Sequence, residues 1–226
     1  MEFNTDMSSK VDKKKVTYKK DFSKVYLVSK RFLDIVISLT AICCLSPIFL
    51  VIFLLDNFSQ SNKGPVFYRQ KRVGLYGQKF EMYKFRSMVR GADKILKNDP
   101  ILYSKYVENN FKLEPKDDPR ITPLGRILRR TSVDEIPQFI NILKGEMSLI
   151  GPRPVVEPEL TEYDIGKLLS VKPGAMGLWQ ASGRSMIGYP ERAEIEMSYI
   201  ENASFIFDIK IFFRNVMNIF SRKGAY

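Results

Sequence analysis

Two adjacent carboxylates, Asp134 and Glu135, follow the arginine pair Arg129-Arg130 and precede Gly151-Pro-Arg-Pro154, where prolines frame Arg153. Carboxylates beside several guanidinium groups suit phosphoryl transfer. One carboxylate can attack phosphorus, a second can hold Mg²⁺, and arginines balance oxygen charge in the transition state. A low carboxyl pKa is no handicap to such a nucleophile, which must be ionised to attack. Two prolines that stiffen the backbone around Arg153 would be poorly used on a solvated charge. Upstream, Lys84 and Arg86 alternate with Tyr83 and Phe85, so a strand there puts both cations on one face. A solvated strand edge accounts for that pair, and so does a bound phosphate. The chain has 226 residues and no histidine, which excludes Ser-His and Cys-His catalysis and His-ligated zinc. Its only cysteines, Cys43 and Cys44, are adjacent in an apolar run, so no disulfide framework or metal cluster is available.

The element that must present the two carboxylates reads as a helix. Ile136, Phe139, Ile140 and Leu143 recur at helical spacing and predict one buried face, and Gly145 is a natural stop. Pro137 fits a first turn, so the helix is expected to begin near Asp134, where the dipole favours carboxylates and phosphate. The plainer structural reading makes Asp134 a helix cap, with Ser132 and Glu135 as a capping box. Ahead of it, Val66-Phe-Tyr68 after a Gly-Pro turn, the connection Gly74-Leu-Tyr-Gly77 and the strand through Lys84 predict a hairpin. A helical stretch is expected from 91 to about 111, interrupted near Asn98-Asp99-Pro100. Thr122-Pro123 predicts the cap and first residue of a short helix carrying Arg126, Arg129 and Arg130. From 199 to 222 the pattern is one amphipathic helix, with Phe205, Ile209, Phe212, Val216 and Ile219 on its apolar side. That helix can pack on a core or lie in a lipid interface.

The net charge of +11 calls for acidic company, whether nucleic acid, anionic lipid or phosphorylated small molecules. Residues 1–29 form a lysine-rich tail that reads as a solvated segment or as a polybasic lipid contact. From 35 to 55 there is no charged residue, a length sufficient to span ~30 Å of hydrocarbon. Ser46-Pro47 falls in the middle of this run, and Pro47 removes a helical hydrogen bond. Both flanks are basic, Lys30 and Arg31 before and Lys63, Arg69, Lys71 and Arg72 after, so charge bias favours the cytoplasmic side for both. A helix that enters, bends at Ser46-Pro47 and returns satisfies both features, with a kinked span and a buried soluble helix as alternatives.

Taken in order, these segments resemble the monotopic phosphoglycosyl transferases, a family of bacterial sugar transferases. The resemblance rests on Lys30-Arg-Phe-Leu-Asp34, Ser46-Pro47, Gly64-Pro-Val-Phe-Tyr-Arg-Gln-Lys-Arg-Val-Gly74, Tyr83-Lys-Phe-Arg-Ser-Met88 and Asp118-Pro-Arg-Ile-Thr122. It continues through Ser132-Val-Asp-Glu-Ile-Pro-Gln138, Lys144-Gly-Glu-Met-Ser-Leu-Ile-Gly-Pro-Arg-Pro154 and Lys172-Pro-Gly174, covering about residues 30–226. It implies a re-entrant membrane helix over 30–58, broken at Ser46-Pro47, and a catalytic domain over 59–226 on the cytoplasmic face of the bacterial inner membrane. It also implies that Asp134 attacks the β-phosphate of a UDP-sugar, releasing UMP, and that undecaprenyl phosphate then takes the phosphosugar. Glu135 is expected to associate with Mg²⁺, and Arg129, Arg153, Lys84 and Arg86 to lie at the phosphates. Gly177-Leu-Trp-Gln-Ala-Ser-Gly-Arg184 and Gly224-Ala-Tyr226 look more like members using hexose-1-phosphate, which favours UDP-galactose or UDP-glucose over a UDP-N-acetylhexosamine. Trp179 suits a core or interfacial anchor as well as a sugar platform, and the role of Arg184 is open. Some relatives carry a further N-terminal membrane and soluble region, so this chain is expected to be the compact form or an excised catalytic part.

The expected fold is therefore an α-rich α/β domain, membrane-monotopic, with a short β-hairpin or sheet and amphipathic interfacial helices. Its partners would be a UDP-sugar, undecaprenyl phosphate and membrane lipids, with a homo-oligomer compatible. A nucleic-acid binder is suggested by charge alone and is not expected, since no recognition motif supports it. A non-catalytic scaffold for polysaccharide assembly would need neither the Asp134-Glu135 pair nor a framed Arg153.

Overall fold

Helix α1 (Lys24–Phe58) begins inside the segment read as a basic tail. The computed structural model describes residue 18 and residues 21–58, 64–108, 113–114 and 116–221, so the rest of that tail and the end at 224–226 lie outside the described residues. By length and composition α1 is able to cross a membrane, with a mean hydropathy of 2.7 over its most apolar window and only 11% of that window buried. The helix continues through Ser46-Pro47. Pro47 cannot donate to the Cys43 carbonyl four residues back, and Ser46 Oγ donates to that carbonyl instead, at 2.8 Å. The hydrogen bond that proline deletes is thus replaced.

Both flanking thirds of α1 pack on the same domain. Near its start, Arg31 donates to the Ile142 and Leu143 carbonyls at 2.6 and 2.8 Å. Asp34, 4% exposed, accepts from Leu149 N–H at 2.8 Å and Ser148 Oγ at 3.1 Å. Lys30 reaches the Ile150 carbonyl and Asp208. Lys30 and Arg31, the basic flank ahead of the apolar run, are therefore used inside the fold. Towards the other end, Ile52 is buried with Phe85 and Leu128, and Phe49 packs edge-on against Phe85.

Strands β1 (Phe67–Val73) and β2 (Lys79–Phe85) form the expected antiparallel hairpin, with Phe67 opposite Phe85 and Val73 opposite Lys79. Helices α2 (Ala92–Asn98) and α3 (Pro100–Glu108) meet at the expected interruption. Helix α4 (Pro123–Arg130) starts as predicted, with Thr122 Oγ1 accepting from Gly125 N–H at 2.9 Å. The preceding motif is structural: Arg120 binds Asp118 through Nε and Nη2, both at 2.8 Å, and both residues are buried. A Cβ on Gly125 would sit 1.9 Å from the Ser87 carbonyl oxygen. Gly125→Ala is therefore expected to cost about 1–3 kcal/mol through backbone displacement, measured as a fall in melting temperature; an unchanged melt would contradict this close approach.

Helix α5 (Gln138–Lys144) ends at Gly145, left-handed at φ 81°. Strand β3 (Ser148–Ile150) pairs in parallel with β4 (Gly174–Met176), with helix α6 (Ile165–Leu168) in the crossover between them. This parallel pair was not anticipated from sequence. Helices α7 (Leu178–Ser182), α8 (Glu191–Asn202) and α9 (Phe205–Ser221) follow among the described residues. The single helix expected over 199–222 is instead two, because Ala203 is extended at ψ 124° and Ser204 accepts the first α9 hydrogen bonds. Of the expected apolar side of α9, Ile209, Phe212 and Val216 are part-buried and Phe205 is exposed, while the Ile219 side chain lies outside the described ones. Asp208, Ile211 and Asn215 are buried, while Ile206, Phe213 and Met217 are exposed. The main core joins Phe80 and Met82 of β2, Ile142 of α5, Leu149 and Ile150 of β3, and Tyr199, Ile200 and Ile211 of the terminal helices.

Candidate active site

Asp134 and Glu135 lie in a 3-10 turn, Val133–Glu135, between α4 and α5. The regular helix begins one turn later than expected, with Pro137 as its N-cap. The capping-box reading fails because Ser132 is left-handed at φ 56° and its side chain caps nothing. The predicted face of Ile136, Phe139, Ile140 and Leu143 is part-buried, while Gln138, Asn141 and Ile142 are buried. Asn141 explains the polar choice: it accepts from Tyr83 N–H at 2.9 Å and donates to the Glu81 carbonyl at 2.7 Å. It thereby fixes α5, and the turn before it, to the middle of β2.

Asp134 is 8% exposed. Burial pushes its carboxyl up to about 6; Lys84 and Arg129 oppose that rise, and the neighbouring Glu135 charge adds to it. Glu135 goes the other way. Its burial would raise it, but Lys84, Arg153 and Arg184, with a 2.8 Å hydrogen bond from Lys84 Nζ, hold it at about 2. The dyad thus divides into one carboxyl poised near neutrality and one held ionised.

Lys84 reaches the dyad because β2 faces α5. Arg129 is steered by Ser87, whose Oγ accepts from its Nε at 2.9 Å. Arg86 is buried, and its Nε donates to the Pro65 carbonyl at 2.9 Å, behind the entry to β1. A small cleft lies beside the dyad, lined by Arg72, Lys84, Glu135, Gln138, Arg153 and Gln180, among others. Arg153 Nε and Gln180 Oε1 have no protein partner among the described residues, which leaves polar groups at the cleft for a ligand.

Arg72 was missed as a site residue. It is buried, bonded to the Pro154 carbonyl and Gln70, and pushed down to about 10 by burial and then by the charge of Arg153. The hairpin register could have found it, since Arg72 stands opposite Phe80 on the face that also carries Lys84. Arg184, left open in the sequence, contributes to holding Glu135 ionised. Trp179 is 4% exposed and donates to the Ile187 carbonyl, so it is core beneath Arg153 rather than a sugar platform.

Among the described residues, no three His, Cys, Asp or Glu side chains gather in a group able to hold a metal. Two adjacent carboxylates suit Mg²⁺ in its other mode, where substrate phosphates and waters complete the shell. The residues present fit that mode.

A carboxylate dyad in the turn between α4 and α5, beside a cleft lined by Arg72 and Arg153, suits an anionic ligand. The chain belongs to the bacterial sugar transferase family, whose profile matches residues 25–222, and it is accordingly a transferase. It is 40% identical over 205 residues to the exopolysaccharide production protein ExoY of Sinorhizobium fredii, covering 88% of each chain. It is 44% identical over 203 residues to the undecaprenyl-phosphate galactose phosphotransferase of Salmonella typhimurium, covering 87% of this chain but 41% of that one. To the UDP-glucose:undecaprenyl-phosphate glucose-1-phosphate transferase of Escherichia coli it is 36% identical, over 92% of this chain and 44% of the other. The chain therefore spans most of ExoY and less than half of the other two.

Proposed function

We propose that this chain transfers a sugar-1-phosphate from a UDP-sugar to undecaprenyl phosphate, the first membrane step of surface glycan synthesis. The observation that carries this reading is the split dyad, with Asp134 buried beside an ion-paired Glu135 at a cleft lined by cations. In this reading an Asp134 carboxylate oxygen attacks the β-phosphorus, and the bond from that phosphorus to the bridging oxygen breaks. UMP leaves with the bond's electron pair, and an aspartyl-phosphosugar remains. A phosphate oxygen of the polyprenyl acceptor then attacks the same phosphorus and restores the carboxylate. Lys84 and Arg129 offset the charge around Asp134, and Arg153 and Arg72 meet the donor's phosphates. Mg²⁺ on Glu135 would neutralise phosphate oxygen charge. The names of the Salmonella and Escherichia relatives favour UDP-galactose or UDP-glucose as donor.

Membrane residence at the cytoplasmic face belongs to the same proposal. The two flanking thirds of α1 are tied to one domain, through Asp34 and Ile52, which supports a helix that returns to the side it entered. The exposed Ile206, Phe213 and Met217 of α9 suit the lipid interface. The test is UMP release by purified protein with Mg²⁺, undecaprenyl phosphate and a panel of UDP-hexoses and UDP-N-acetylhexosamines. Release with a hexose donor is expected; preference for an acetamido sugar would correct the donor, and no release with any donor would remove the proposal.

A further inference from the structure

The segment that carries Arg153 has little backbone to hold it. Pro152 and Pro154 have no N–H, so Arg153 supplies the one backbone donor of the Pro-Arg-Pro stretch. That N–H donates to Glu196 Oε2 of α8 at 2.7 Å. The flanking carbonyls are held from other directions, Pro152 by Gly174 N–H at 2.8 Å and Pro154 by Arg72 Nη1 at 3.1 Å. Behind Glu196, one helical turn back, lies Arg192, its Nε 3.7 Å from Glu196 Oε1. The Arg192 guanidinium sits 4.5 Å from the Trp179 ring centre and 4.8 Å from that of Tyr189, and the Arg153 guanidinium lies 5.5 Å from the same Trp179 ring.

Glu196 is a costly choice for the fold alone. It is 1% exposed, and Oε1 has no hydrogen-bond partner among the described residues. Burial holds its carboxyl up at about 7, against the pull of Arg192 and of the Arg153 N–H. A buried carboxylate half-satisfied in this way does not stabilise a domain. A carboxylate does make a stronger acceptor than an amide, and so fixes a backbone N–H more firmly.

We infer that Glu196, backed by Arg192 between Trp179 and Tyr189, is a positioning residue that aims Arg153 at a phosphate of the nucleotide-sugar. The inference rests on the proposed function for Arg153's target, and its test is kept separate by reading UDP binding as well as transfer. The experiment is a double-mutant cycle of Glu196→Gln with Arg153→Ala, with UDP affinity by titration calorimetry, kcat/KM and melting temperature measured for each protein. Glu196→Gln is expected to weaken UDP binding about tenfold while melting at or above the wild-type temperature. In the Arg153→Ala background the same substitution is expected to cost less than twofold. Wild-type affinity in Glu196→Gln, or an equal loss in both backgrounds, would overturn the inference. Should the Gln variant not fold, Glu196→Asp shortens the reach to the Arg153 N–H and is read in the same cycle. A wild type that binds UDP but transfers no sugar would sink the proposed chemistry and leave the cycle readable.

Discussion

Asp134→Asn is expected to abolish turnover and covalent phosphosugar labelling while making the protein more stable. The folded carboxyl lies at about 6, above its ordinary 3.8, because it is buried. A group raised in this way binds protons more readily in the folded than in the unfolded state. Above pH 6 both states are ionised, and the folded state bears the full cost of a buried charge. As pH falls from 6 to 4 the folded carboxyl protonates first and the cost is relieved. Asparagine removes that cost at neutral pH, a gain on the order of 2–3 kcal/mol, and the gain should fade below about pH 4. Melting curves in metal-free buffer at pH 7.5 and pH 4 measure it. A variant that melts below wild type at pH 7.5 would mean Asp134 is structural, and full turnover in that variant would remove it as nucleophile.

The second large effect is expected at Lys84. Its Nζ makes the 2.8 Å bond to Glu135 and is the leading influence opposing the rise in the Asp134 carboxyl. Lys84→Met takes one positive charge from both carboxylates, so both become harder to ionise. Activity that needs an ionised Asp134 should therefore lose its acid limb at a higher pH than in wild type, where that limb is expected near 6. A loss of about 10² in kcat/KM at pH 7 is expected, in line with removing a charged hydrogen-bond donor from a transfer site. A rate–pH profile with an unmoved acid limb would show that Lys84 does not act on Asp134.

Features of the fold that were legible in the sequence are those written in short stretches of chain. The hairpin follows from its turn and alternation, and α4 from Thr122-Pro123. The gap between α2 and α3 follows from Asp99-Pro100. What was not legible depends on residues far apart. The β3–β4 pair joins Ser148 to Gly174 and Ile150 to Met176, strands too short to announce themselves by periodicity. Asn202-Ala-Ser204 did carry a local cap signal, but the surrounding apolar spacing masked it. At the site, Asp134, Glu135, Lys84, Arg129 and Arg153 could be chosen from residue type and spacing. The left-handed Ser132 that rules out a capping box could not, nor could the bond that sends Arg86 to Pro65. Arg72 required the cross-strand register, and Glu196 required knowing that α8 passes behind the framed arginine.

The ties between α1 and the rest of the protein set an order of events during synthesis. Asp34 finds its partner 115 residues later in the chain, and Lys30 finds Asp208 178 residues later. At 5–20 residues per second, on the order of ten seconds or more pass between the addition of Lys30 and that of its carboxylate partner. For most of that interval the apolar run 35–55 is already made and has no domain to rest on. A nascent chain stopped before residue 148 would carry α1 with Asp34 unmatched, and one stopped before 208 would leave Lys30 without its counter-ion. The helix must therefore be received by its surroundings first and captured by its own domain only after Asp208 has been made.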